Sequence, residues 1–280
     1  MMVDSHAHCH FNAYKDDMNE VILRSLEKGT WMNLVGTQKD TSASAVEVAE
    51  KYSSGVYAVV GLHPEHLISD HHDADELPTK IVEKEFDYEF YKKLALHPKT
   101  TGIGECGLDL YRIPNGMTRE EALETQSKVF RRHIDLAKET NLPLVIHCRD
   151  AHTELIEILK QENYNVGVVH CYTSNWEYAE QYLKLGFYIG FTGVITFPPQ
   201  KKDPKSQAEL LEVVKRIPKE RMLVETDCPY LSPIPYRGKR GEPWMVESTA
   251  QKMADIKEIP LPEVLEITTK NALNLFKKMV

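Results

Sequence analysis

The sequence predicts an α/β fold, a closed (β/α)8 barrel of the TIM type in a single domain, and three observations carry that prediction. Short β-rich apolar runs recur eight times, with helical-period segments between most of them. The length, 280 residues, is one that such barrels commonly have. No Gly/Ser-rich linker, composition break or internal repeat divides residues 1–280.

The expected strands are residues 2–6, 31–36, 56–61, 101–105, 143–147, 166–170, 187–191 and 222–226. Among them Val56-Tyr57-Ala58-Val59-Val60-Gly61 reads as a continuous apolar run, as a strand covered on both faces should. Helices are expected at 42–53, 118–140, 151–163, 175–185, 205–216 and 262–277. The clearest is 118–140, where Thr118 and Glu121 form a capping-box signal. Leu123, Phe130, Ile134 and Ala137 then approximate one apolar face, and Asn141 and Pro143 stop the helix. One connection breaks the alternation, an extended loop and helix excursion at about 62–100. It holds the acidic run Ser69-Asp70-His71-His72-Asp73-Ala74-Asp75-Glu76, with a helix expected from about 79 to 95. His71, His72 and Asp73 are metal-capable types, but a solvated loop is the stronger reading. A long excursion from a catalytic rim can also serve as a lid or specificity element.

Composition excludes several classes. Hydrophobic residues at 42% and charged residues at 27% support a sizeable core and argue against disorder. A net charge of −8 argues against coating nucleic acid without regard to sequence, yet leaves room for a local phosphate site aided by metal ions. No apolar run approaches the roughly 20 residues that span a bilayer. The N-terminus carries acid and histidine where a signal peptide needs basic and then apolar residues. A cytoplasmic monomer without membrane contact is the expectation. Five cysteines make a disulfide framework unexpected, and each directly follows a candidate ligand: Cys9, Cys106, Cys148, Cys171 and Cys228. Neighbours on an extended chain point opposite ways, so these thiols are expected to be small packing residues facing away from a shared metal.

The chemistry lies where the strands end. His6 and His8 close the first apolar run, Glu105 the fourth, His147 the fifth, His170 the sixth and Asp227 the eighth. On a strand, i and i+2 share a side, so His6 and His8 can face one point. The C-terminal ends of all strands in a barrel converge on one rim, where active sites sit. Four histidines and two carboxylates there suit a pair of divalent cations with one carboxylate bridging. Singly, His147 or His170 also reads as a hydrogen-bonded core histidine, and Glu105 or Asp227 as a paired structural acid; the set reads as a metal site.

These residues carry a family resemblance. Asp4-Ser5-His6-Ala7-His8, Gly61-Leu62-His63-Pro64, Gly104-Glu105-Cys106-Gly107-Leu108-Asp109 and Pro143-Leu144-Val145-Ile146-His147-Cys148-Arg149-Asp150 resemble the TatD family of metal-dependent deoxyribonucleases. So do His170-Cys171-Tyr172, Glu225-Thr226-Asp227-Cys228-Pro229-Tyr230-Leu231, Arg237-Gly238-Lys239-Arg240-Gly241-Glu242-Pro243 and, near the end, Asn271, Leu275 and Phe276. The resemblance runs over almost the whole chain in order. It implies a (β/α)8 fold similar to the wider amidohydrolase group, and hydrolysis of DNA phosphodiesters by exonuclease or endonuclease action. It implies two divalent metal ions, with His6, His8 and Asp227 on one, His147 and His170 on the second, and Glu105 bridging. Zinc, manganese, magnesium and iron all accept such ligands.

In the mechanism this implies, the cations polarise a phosphoryl oxygen and activate a shared water, Asp227 is the general base and later proton donor, and Glu105 sets the metal spacing. DNA is the expected substrate, as single strands or 3′ ends. His63, Arg149 and Arg237 are the expected substrate contacts, His63 also reading as a turn histidine and Arg149 as a partner of an acid such as Asp150. Lys201, Lys202, Lys205, Lys239 and Arg240 add basicity after the last two strands, where barrels often bind phosphate, although the lysines also read as a solvated loop. One rival is an amidohydrolase acting on a C–N or ester bond of a small molecule. Many of those use a lysine carbamate from the fourth strand, and here Glu105 holds that end with no lysine following closely. The other rival is a non-catalytic barrel that binds nucleic acid or a partner. Against it, all six candidate ligand positions are filled.

Overall fold

The computed structural model describes residues 1–68, 73–78, 83 and 85–279. Eight parallel strands pair in chain order: β1 (Met2–Ala7), β2 (Thr30–Val35), β3 (Val56–Val60), β4 (Thr100–Asp109), β5 (Leu144–Arg149), β6 (Gly167–Val169), β7 (Tyr188–Phe191) and β8 (Met222–Val224). The ring closes between its ends. Ala7 bridges Cys228, the Asp227 N–H donates to the His6 carbonyl at 2.9 Å, and the His8 N–H to the Cys228 carbonyl at 2.8 Å. All eight strands lie where the apolar runs place them. β6 and β8 are shorter than their runs, although His170 and Glu225 still donate to the neighbouring strands at 2.9 and 3.1 Å.

The helices are α1 (Met18–Glu27), α2 (Lys39–Glu50), α3 (Pro64–Ile68), α4 (Tyr88–Ala95), α5 (Arg119–Thr140), α6 (His152–Glu162), α7 (Trp176–Leu185), α8 (Pro204–Arg216), α9 (Val246–Lys257) and α10 (Leu261–Leu275). In α5 the capping box is formed by Thr118 and Glu121, and Asn141 ends the helix in the left-handed conformation at φ 54°. α1 and α9 were not among the expected helices; α1 buries Val21, Ile22 and Ser25, and α9 a face made mostly of Thr, Ala and Met.

The excursion requires a correction. The expected helix over 79–95 begins only at Tyr88, where Asp87 caps the Phe90 N–H at 3.2 Å. Residues 79–82 and 84 lie outside the described residues, as do Ser69, Asp70, His71 and His72 of the acidic run.

Val3, Tyr57, Val59, Val145, Val168 and Leu223 form one apolar cluster, although they come from strands all around the ring. Such side chains can meet only inside the barrel. Leu275, Phe276 and Met279 from the C-terminal segment pack against them, so the barrel is a filled core. Two positions beyond Val145 and Val168, on the same face of the chain, stand His147 and His170. The apolar filling is thereby the floor of a polar mouth.

Candidate metal centre

At that mouth Glu105 sits among histidines. Its Oε1 lies 2.9 Å from His170 Nε2, 3.1 Å from His147 Nδ1 and 3.4 Å from His63 Nε2, and its Oε2 lies 3.4 Å from His6 Nε2. Asp227 Oδ1 is 3.2 Å from His8 Nε2 and 3.7 Å from His6 Nε2, while the two Nε2 atoms are 3.1 Å apart. All six candidate ligands therefore meet in one place, with His63 beside them.

The donor set fits divalent cations. Histidine nitrogens and carboxylate oxygens bind a first-row cation at about 2.0–2.2 Å, which places two ligands of one ion roughly 3.0–3.5 Å apart. The atoms of His6, His8 and Asp227 lie close to this spacing, at 3.1, 3.2 and 3.7 Å, and two further groupings share Glu105: with His6 and His170, and with His63 and His147. His170 Nε2 is also buried and close to Glu105 without being aligned for a hydrogen bond, as suits a nitrogen that faces an ion.

Neighbours fix the rings. His8 Nδ1 is 2.6 Å from the Val35 carbonyl and donates to it, leaving Nε2 to face His6 and Asp227. His147 Nε2 is 2.9 Å from Asp109 Oδ2, so its Nδ1 is the atom turned to Glu105. His170 Nδ1 lies 3.4 Å from Glu225 Oε1. Glu225 is fully buried and accepts from Ser5 Oγ at 3.0 Å and from the Cys171 N–H. Gly190 makes room for it, because a Cβ there would stand 2.5 Å from Glu225 Oε2. His63 differs from the rest. Its Nδ1 accepts the Glu65 N–H at 3.1 Å, so the neutral ring carries its proton on Nε2 and presents a donor to the mouth.

Electrostatics follow from this crowding. Burial pushes the Glu105 carboxyl up, but His170, His63, His6 and His147 outweigh it and hold it well below the usual range. Burial likewise opposes ionisation of Asp227, and the His8 hydrogen bond with the charges of His6 and His170 reverses it, so Asp227 also stays low. His147 resists burial through Asp109 and Glu105 and rises to about 9, while Asp109 falls to about 2 against its own burial. Asp227 has φ 58°, a left-handed conformation that Asp and Asn adopt more readily than most side chains.

A cleft of about 800 Å³ opens over these groups. Arg149 and Arg237 line it, as does Arg112, which is held by Glu65 at 3.2 Å. Arg240 turns instead to Asp17, and Lys201, Lys202 and Lys205 are exposed away from the cleft lining. The cysteine expectation holds for Cys9, Cys106 and Cys228, which are buried, and fails for Cys148 and Cys171. Both of these line the cleft, and Cys171 sits in a tight turn at φ 44°, where the alternation of an extended chain no longer applies.

The excursion returns over the same cleft. Glu76 accepts from Thr37 Oγ1, from Gln38 Nε2 at 2.8 Å and from His66 Nε2 at 3.0 Å. The Asn12 and Ala13 N–H groups donate to the Glu76 and Asp75 carbonyls at 3.0 and 2.8 Å, and Tyr230 Oη donates to Asp73 at 2.6 Å. Sequence reasoning missed Asp109, Glu225, His66 and Glu76. Only Asp109 carried a usable signal, standing at i+4 from Glu105 along one strand and so on the same face.

Known proteins place this architecture. A family model described as "TatD related DNase" matches residues 3–277. An uncharacterized metal-dependent hydrolase of Bacillus subtilis, YabD, is 40% identical over 280 residues, 99% of each chain. One of Mycobacterium tuberculosis, named TatD, is 31% identical over 97% of this chain and 96% of its own. Among solved structures, the TatD homologue YJJV of Escherichia coli superposes with a TM-score of 0.81 at 26% identity, covering 99% of this chain and 98% of that one. A TatD family hydrolase of Entamoeba histolytica gives 0.78 at 25% identity, covering 98% and 97%.

Proposed function

This chain belongs to the TatD family of metal-dependent hydrolases, and we propose that it cleaves DNA phosphodiester bonds as a deoxyribonuclease. The observation that carries the reading is the convergence of His6, His8, His147, His170 and Asp227 around Glu105, at the floor of a cleft whose rim bears Arg149 and Arg237. His6, His8 and Asp227 would hold one divalent cation and His147 and His170 a second, with Glu105 between them. Zinc, manganese, magnesium and iron suit these ligands. A divalent cation there polarises a phosphoryl oxygen and lowers the pKa of water.

The chain's own residues do the rest. Asp227 is ionised at neutral pH, and its side chain is 16% exposed, so it reaches the cleft while His8 holds one oxygen. It takes a proton from the water that attacks phosphorus. As the P–O bond to the leaving nucleotide breaks, the same carboxyl returns that proton to the departing oxygen. His63 Nε2–H stabilises negative charge on the phosphoryl oxygens, which grows in the transition state, and the Arg149 and Arg237 guanidinium groups hold the substrate's phosphates at the rim. Asp109 and Glu225 act as positioning residues through His147 and His170. The five cysteines are free thiols, which supports action in the reducing cytoplasm, and among the described residues no helix is long and apolar enough to cross a membrane.

The test compares substrates on protein loaded with each cation in turn. A labelled oligodeoxynucleotide should be cleaved and a cyclic amide or lactone left intact. Turnover of the lactone or amide alone would assign the site to C–N or ester hydrolysis instead.

A further inference from the structure

The chain has ten arginines, and seven lie within 4.0 Å of a carboxylate. Arg221 instead donates to the Gly186 carbonyl at 2.7 Å. Among the described residues Arg149 and Arg237 have neither kind of partner, and both line the cleft over the candidate metal centre. Each lies over an aromatic ring: Arg149 at 3.5 Å from the Tyr111 centroid, and Arg237 at 4.4 Å from that of Phe197. Tyr111 and Arg149 follow β4 and end β5, whereas Phe197 and Arg237 follow β7 and β8, so the two pairs stand across the mouth from one another.

Stacking occupies the flat face of a guanidinium and leaves its N–H edge free, and that edge matches phosphate. Unpaired bases stack on aromatic rings and on arginine planes without regard to sequence. Tyr111 is 56% exposed, a large ring left facing solvent beside the Arg149 guanidinium. Phe197 and Arg237 also stand at the junction with an adjoining cavity of about 510 Å³ that Lys239 lines. A chain passing over the metal centre therefore has room, and a further cation, on the far side of that pair.

We propose that Tyr111–Arg149 and Phe197–Arg237 are two nucleotide subsites flanking the scissile phosphodiester. Each takes one unpaired base and one neighbouring phosphate, so the substrate is a single polynucleotide strand laid across the mouth. A duplex cannot use them, because its bases are already stacked and paired. The inference rests on the phosphodiesterase reading and narrows it.

The test uses the full chain with Tyr111→Ala, Phe197→Ala, the double variant, and Tyr111→Phe as the ring-retaining control. Anisotropy of a labelled thymidine decamer measures binding to metal-free protein. Steady-state kinetics on metal-loaded protein then compare the decamer, a duplex, and bis(p-nitrophenyl) phosphate, which has no flanking nucleotides. Each alanine should weaken decamer binding roughly 5- to 100-fold, with the loss in KM rather than kcat. The decamer's advantage over bis(p-nitrophenyl) phosphate should fall by a like factor, the two losses should multiply in the double variant, and Tyr111→Phe should restore binding. Wild-type protein should bind the single strand at least tenfold more tightly than the duplex. Unchanged decamer affinity in both alanine variants, or equal affinity for strand and duplex, would overturn the subsites. Protein that hydrolyses bis(p-nitrophenyl) phosphate with such results keeps the phosphodiesterase reading; protein that hydrolyses no phosphodiester with any cation loses both.

Discussion

Replacing Glu76 by Gln should release the excursion from the mouth of the barrel. The carboxylate is buried and held by Thr37, Gln38 and His66, which bring its pKa from 4.5 down to about 2 against its burial. At about 1.4 kcal/mol per tenfold change in proton affinity, that charge contributes up to about 3 kcal/mol. The sign follows from both partners. Glu76 is depressed, so its contribution is present above about pH 4.5 and is lost as pH falls toward 2. His66 is raised above 6.5, Glu76 outweighing the effect of burial, so its contribution is complete below pH 6.5 and is lost as pH rises through the raised value. These are two views of one interaction and are not added. Docking should therefore be firmest between about pH 4.5 and 6.5. In Glu76→Gln the Asn12 and Ala13 amides, which donate to the excursion, should lose roughly 100-fold of their hydrogen-exchange protection near pH 5.5. If the loss is global, Tm should fall by about 5 °C, taking about 2 cal/mol/K of unfolding entropy per residue. Metal-free protein is the sample of choice, so that loss of bound metal at low pH does not intrude. Unchanged protection at Asn12 and Ala13, with the same pH dependence as wild type, would refute the assignment of the clamp to this ion pair.

Two further outcomes concern the groups behind the donors. Asp109→Asn removes the carboxylate that fixes the His147 ring, and metal affinity measured by calorimetry should fall about 10- to 100-fold while the fold persists; unchanged affinity would leave Asp109 without a positioning role. Gly190→Ala sets a methyl where Glu225 now lies, so it should displace Glu225 and loosen His170, lowering bound metal per chain and costing about 1–3 kcal/mol in denaturant unfolding; full occupancy with wild-type stability would show that Glu225 does not orient His170.

Much of this was legible in the sequence because one rule, two residues per strand repeat, governs both core and mouth. Val145 and His147, or Val168 and His170, are the same pattern read first as apolar and then as polar. His6 and His8 follow the same rule, whereas Glu105 and Asp227 stood out because each ends an apolar run. What lay outside it depended on distant partners. Glu225 meets His170 across 55 positions, and only because Gly190 lacks a side chain. Glu76 belongs to a run of acids that reads as solvated, yet Thr37, Gln38 and His66 converge to bury that one carboxylate. Cys171 escaped the alternation argument at the rim, where the strand gives way to a left-handed residue, while Cys148 lines the cleft from within β5. α9 was hidden by a face made mostly of Thr, Ala and Met, whereas α1 carries a readable period in Met18, Val21, Ile22 and Leu26 that a reading led by the strands passed over.

Whether this mouth binds metal and Asp227 moves the proton is decided by stripping metal from wild type and Asp227→Asn, restoring each divalent cation in turn, and following a labelled single-stranded oligodeoxynucleotide for both cleavage and binding. Stripped wild type should be inactive and recover with at least one cation. Asp227→Asn, which keeps the shape and tolerates the left-handed backbone, should bind the strand within a few-fold of wild type while turning over about 10²- to 10⁴-fold more slowly. Cleavage by the stripped protein, or wild-type turnover by Asp227→Asn, would contradict the account.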